Sequence, residues 1–125
     1  MGTQAGFSSD AYSPDNLLAG NADLLVGKKY TVIAGQNLVR GTVAGTITAS
    51  SKLTLSLSAS GDGSEVPDLI IGEDCDATAG DKEVIAYSRG DFNQNALTIG
   101  AGHTIASITE GLRVKGLILV DSVGA

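Results

Sequence analysis

Two neighbouring stretches of the chain alternate with period two. Residues 42–48 place Val43, Gly45 and Ile47 on one face and threonines mostly on the other, and residues 52–58 set Leu53, Leu55 and Leu57 against Lys, Thr and Ser. Only Ala49, Ser50 and Ser51 separate them, so the pattern predicts an antiparallel hairpin with one face buried and one wet. Upstream, residues 30–33 form a short β-branched run stopped by Ala34, Gly35, Gln36 and Asn37, which suit a turn. Downstream, residues 66–71 and 84–87 predict further short strands. Pro67 marks a strand start or an edge, and the Gly and Asp of residues 60–64 mark a loop before it.

The period changes near the C-terminus. Ile105, Ile108 and Leu112 fall at i, i+3 and i+7, which predicts a helix over residues 104–115. Ser107 and Glu110 have capping-box spacing, and Gly116 can close the last turn. Residues 117–120 are an unbroken apolar run and predict a strand buried on both faces. Phe92 is expected to plug the core, with residues 93–97 as a short helical turn packing Ala96 and Leu97 inward. Residues 1–14, MGTQAGFSSDAYSP, are small and polar with two isolated aromatics and no periodicity. They read as a flexible N-terminal arm, domain 1–14, ahead of a β-rich domain 15–125. The expected fold class is mainly β with one short C-terminal helix, a compact β-barrel or sandwich-like domain. The 17 glycines, spread throughout, fit tight turns between short strands.

A chain of 125 residues fits one domain and can bury roughly two-thirds of the surface its unfolded form exposes. Five aromatic residues and no Trp leave the interior to Leu, Ile, Val and Ala. Fourteen acidic against eight basic side chains give a net charge of −6, a sign that repels nucleic-acid phosphates and anionic lipid heads. Neither nucleic acid nor membrane is therefore an expected partner. The single cysteine, Cys75, precludes an intrachain disulfide and leaves too few ligands for structural zinc. No apolar run reaches membrane-spanning length, and the N-terminus has no signal-peptide pattern, so synthesis in a cytoplasm is expected. Gly6 stands where N-myristoylation needs Ser or Thr.

Each candidate chemical motif has a structural reading that outweighs it. In a calcium loop starting at Asp74, Ala79 would replace the sixth-position Gly and Ile85 the twelfth-position Glu, so the acidic run reads as a solvated turn with no metal. Gly100, Ala101 and Gly102 lack a third fingerprint glycine, since Ile105 stands there, and read as a hinge into the helix without a cofactor. Any Ser-His or Cys-His chemistry must pass through His103, the only histidine. No nucleophile-elbow pattern surrounds a serine, and the acids beside Cys75 raise a thiol pKa, so no catalytic residue is assigned. Arg89, Gly90 and Asp91 spell an adhesion tripeptide, read here as a turn.

Three ordered blocks do carry information: GQNLVRGTVAG at residues 35–45, EDCDATAGDK at 73–82 and RGDFNQNALTIGAGHT at 89–104. In these the chain resembles the head decoration proteins of tailed bacteriophages, the lambda protein D type, over about residues 17–120, with the leading segment outside the likeness. The resemblance implies a non-enzymatic, mostly β module that sits as a homotrimer on the outer surface of the expanded capsid, at local threefold sites. There it would cement capsomers against packaged-DNA pressure. The implied partners are the major capsid protein and further copies of the chain, and the implied location is the virion. It also implies that the N-terminal arm orders by adding a strand to the capsid protein. Phe7, Tyr12, Leu17 and Leu18, apolar positions in a polar leader, are the expected capsid contacts, unless Leu17 and Leu18 begin the core. A β-sandwich reader of carbohydrate or cell surfaces is the alternative, weakened by the scarcity of aromatic platforms.

Overall fold

One long strand organises the molecule by pairing with three others. The computed structural model describes residues 17–19 and 25–121. Within these, the elements are β1 (Val26–Val32), β2 (Asn37–Leu38), β3 (Val43–Thr46), β4 (Leu53–Leu55), β5 (Pro67–Ile71), β6 (Cys75–Asp76), β7 (Lys82–Asn93), a 3-10 turn (Gln94–Ala96), α1 (Ile105–Lys115) and β8 (Leu117–Val120). The sheet order β1-β4-β3-β5-β7, with β7 pairing back to β1, closes a five-stranded barrel. Closure protects most strand edges from other chains. β2 and β6 form a separate small ladder through Asn37↔Asp76 and Leu38↔Cys75.

The expected hairpin is β3 and β4, antiparallel through Ala44↔Leu55, Gly45↔Thr54 and Thr46↔Leu53. Its burial differs from the one-face expectation, because Val43, Ala44 and Gly45 are all buried. Ala44 faces the barrel interior, while Val43 joins a second cluster outside the barrel wall. β5 shows the same division, with Leu69 and Ile71 inside and Ile70 outside. Strands that serve two cores are apolar on both faces, and alternation then hides one of them. Pro67 does open β5, as its missing N–H favours.

The second cluster forms where α1 covers the barrel wall. Ile108 and Leu112 bury beside Ile70, Phe92 and Leu117. Ile105 is only partly covered. Thr104 is the N-cap: its Oγ1 accepts from the Ser107 N–H at 3.1 Å, and Ser107 Oγ accepts from the Thr104 N–H at 2.8 Å. The capping box therefore lies one turn before the predicted Ser107 and Glu110 pair, and Glu110 instead binds Arg113. Gly116 ends the helix at φ 97° and ψ 8°, a left-handed conformation that suits a residue without Cβ. Thr104→Ala is expected to cost about 1 kcal/mol. A urea titration should show a lower midpoint with an unchanged slope, and an unmoved midpoint would remove the cap from the account.

Two further expectations are corrected. The predicted turn at Arg89, Gly90 and Asp91 lies inside β7, which runs through it unbroken. At Gly90, φ 149°, the strand passes from barrel pairing with β1 and β5 to parallel pairing with β8, in the register Gly90↔Leu117 through Asn93↔Val120. A Cβ at Gly90 would stand 2.8 Å from the Leu25 side chain and 3.2 Å from the Phe92 ring, so the backbone passage needs glycine. β8 is an edge strand among the described residues: Leu117 is buried, but Ile118 and Val120 are 36% and 37% exposed. A continuous apolar run does not report how many faces are covered. Phe92 is fully buried, and Ala96 and Leu97 after it pack on the second cluster as expected.

Candidate functional site

The residues that could carry chemistry are held in structural roles. His103 Nε2 lies 3.2 Å from Ser56 Oγ, the spacing of a base and a nucleophile. Ser56, however, is fully buried, and among the described residues no carboxylate is hydrogen-bonded to His103 to orient it. Cys75 is 1% exposed. Burial is the main cause that pushes its thiol above the ordinary value. Lys82 pulls the other way, and Glu73 and Asp76 push up by less. The neighbouring acids are thus the smaller part of the effect expected of them.

Most of the acidic run is tied to its own loops. Asp74 Oδ1 accepts from the Arg40 N–H at 2.8 Å. Asp76 Oδ1 accepts from the Thr78 N–H and hydroxyl, bonds that hold its carboxyl below the ordinary range. Asp81 takes the Lys52 ammonium and the Ala34 N–H, with the same consequence. Glu73 Oε2 accepts from the Ile85 N–H at 3.0 Å. Among the described residues no group of three or more His, Cys, Asp or Glu side chains could hold a metal ion.

The N-terminal segment enters the fold along β7. Leu18 pairs with Phe92 in an antiparallel bridge, the Ala19 N–H donates to Asp91 O at 3.1 Å and the Asn93 N–H donates to Leu17 O at 2.7 Å. Leu17 is 1% exposed within the second cluster, and Leu18 is partly buried against it. The two leucines therefore sit at the start of the core, which was the other reading weighed for them. Phe7 and Tyr12 lie outside the described residues. Across β7 from this root, Val120 ends β8 opposite Asn93, and Asn95 Nδ2 donates to Asp121 Oδ1 at 3.0 Å. Both the N-terminal segment and the last described strand thus leave at one end of β7.

Arg40 ties the barrel wall to Tyr87, which packs on the second cluster. Its Nη1 donates to Gly72 O at 2.7 Å and to the Tyr87 hydroxyl at 3.0 Å, with the guanidinium 5.8 Å from the ring centre. Sequence reasoning quoted Arg40 only as part of a block, because nothing local announces a partner 47 residues away.

The described residues form a small closed barrel with one covering helix, its acidic side chains bound within its own loops. Residues 7–116 match the family model of bacteriophage lambda head decoration protein D. The chain belongs to that family, whose members are structural proteins of the phage capsid. The match begins within the leader, earlier than the resemblance read from the three blocks. No curated protein sequence matches the chain.

Proposed function

We propose that the protein binds as a homotrimer to the outer surface of the expanded head, at local threefold sites, and stabilises the shell against the pressure of packaged DNA. The observation that carries the reading is the family match over residues 7–116. The pairing of Leu17, Leu18 and Ala19 along β7 supports it, because an arm that precedes them then starts from a defined point on the barrel.

In this reading the flexible arm, residues 1–14, adds a strand to the major capsid protein. Backbone hydrogen bonds give the affinity and alternate side chains set the register. Phe7 and Tyr12 make the apolar contacts, while buried Leu17 anchors the arm at its base and partly exposed Leu18 extends the contact surface there. Ordering such an arm costs conformational entropy, so one arm binds weakly. Three arms on a symmetric trimer make the later contacts intramolecular. Binding that selects the expanded state stabilises it by about 2.7 kcal/mol per site at a hundredfold excess over Kd. The protein is made in the host cytoplasm and acts on the virion surface. The net charge of −6 argues against nucleic acid or lipid as its target and leaves protein, the capsid protein and its own copies, as the partner.

Light scattering across a dilution series tests the assembly. A mass three times that of the chain, held on dilution, is the expected result. A persistent monomer that also ignores expanded heads would move the assignment to a stand-alone binding module.

A further inference from the structure

β1 carries a strand edge that no described part of the chain covers before Val32. Residues 26–32 pair with β7 along one side, whereas β4 meets β1 only at Val32↔Leu53, where the Ile33 N–H reaches Leu53 O at 3.0 Å. Main-chain groups in an antiparallel ladder turn alternately toward and away from the partner. The outward Ile33 N–H therefore makes Lys29 and Thr31 residues whose main-chain groups face away from β7. Val26, Gly27, Lys28 and Lys29 are all exposed, so the start of the β1–β7 ribbon is open on both faces as well as on its edge.

The same ribbon collects the cations that have no ion pair with another described residue. Lys52, Lys115 and Arg113 are matched with Asp81, Asp68 and Glu110, and Arg40 is bound to Gly72 and Tyr87. The remaining four of the eight basic residues, Lys28, Lys29, Lys82 and Arg89, have no ion pair among the described residues, and all stand on β1 or β7. Glu83 shares the outer face with Lys29 without reaching it as an ion pair, and Glu73 there is occupied by the Ile85 N–H.

We propose that the open edge of β1, residues 26–31, accepts an extended acidic segment of the major capsid protein as an added strand. The inference rests on the decoration reading and supplies a second strand contact, separate from the arm. Lys28 and Lys29 point to opposite faces, so adjacent carboxylates on the incoming strand meet one lysine each. The main-chain groups of Lys29 and Thr31 complete the ladder. Edge lysines also discourage unwanted strand pairing, and the two roles separate in experiment. A deterrent alone leaves head binding unchanged when the charge is reversed.

The test uses the full chain and empty expanded heads of its own phage, with Lys28→Glu/Lys29→Glu and Lys29→Pro as variants. Proline at position 29 removes only an outward N–H, and the double charge reversal alters exposed side chains, so the second variant serves if the first misfolds. Wild-type binding is expected to slow hydrogen exchange at the Lys29 and Thr31 amides, and both variants to bind about tenfold or more weakly, with the salt dependence reduced in the charge reversal. Variants that bind like wild type, with these amides exchanging equally fast free and bound, would overturn the proposal and leave the decoration reading standing. Wild type that ignores heads overturns both. Amides already protected in the free protein and released by deleting residues 2–13 would assign the edge to the chain's own leader. Protection by duplex DNA in place of heads would assign the cations to phosphate. Either result also overturns the proposal.

Discussion

Deleting residues 2–13 is expected to abolish binding to expanded heads and to leave the domain folded. Among the described residues the earliest buried side chain is Leu17, and the ladder of Leu18 and Ala19 on β7 lies beyond the deletion. Thermal midpoints of the two forms should therefore agree within about 2 °C, since at this size that spread corresponds to well under 1 kcal/mol. Binding behaves differently. If each arm contributes only about 1.4 kcal/mol, a factor of ten, losing three from one trimer removes up to about a thousandfold in apparent affinity. Cosedimentation with heads at a fixed concentration reads the loss directly. Truncated protein that still pellets with wild-type stoichiometry would remove the arm from the interface and shift the contact to the folded body. Phe7→Ala and Tyr12→Ala should reproduce part of the loss, because each deletes one apolar contact and spares the backbone pairing.

The parts of the fold legible in the sequence are those decided locally. Residues 42–58 alternate and turn within a few residues, Pro67 opens β5, Gly116 closes α1, and Asn93 to Leu97 fold as the expected short turn. What stayed hidden is set by pairing across the chain. Lys28 and Lys29 break the apolar pattern, so local pattern starts this strand at Tyr30, whereas β7 holds β1 from Val26. Gly90 looks like a turn in sequence and is a point of transfer between two partners in space. The unbroken run of β8 could not reveal that one of its faces is open. The candidate site divides in the same way. A polar leader predicts an arm by composition on residues outside those described, and neither the hydrogen bonds of Leu17 and Ala19 to β7 nor the edge of β1 that the described residues leave uncovered follows from local pattern. An uncovered edge is a property of neighbours that are missing, and ion pairing decides which cations remain.

Phe92→Ala should be among the most damaging single substitutions, at about 3–5 kcal/mol. The ring is fully buried, lies 5.7 Å from that of Tyr87 in a tilted arrangement, and belongs to the cluster that joins α1 and β8 to the barrel wall. No other aromatic residue of the described chain is fully buried, so neighbouring aliphatic side chains cannot refill the space without leaving their own positions. Against a total stability of about 5–15 kcal/mol, the loss consumes a large fraction and should lower the midpoint of thermal unfolding by about 10 °C or more. The effect should also be uneven. Phe92 bridges Leu18 through its backbone and faces Leu119 on β8, so the amides of Ala19 and of residues 117–120 should lose exchange protection before those of the barrel strands, whose interior cluster is separate. Phe92→Leu, which keeps most of the apolar volume, should recover much of the stability. A fall of less than about 3 °C for the alanine variant, or uniform loss of protection, would mean that the second cluster does not anchor the arm root as a unit. The root would then have to be held by the hydrogen bonds of Leu17 and Ala19 to β7 alone.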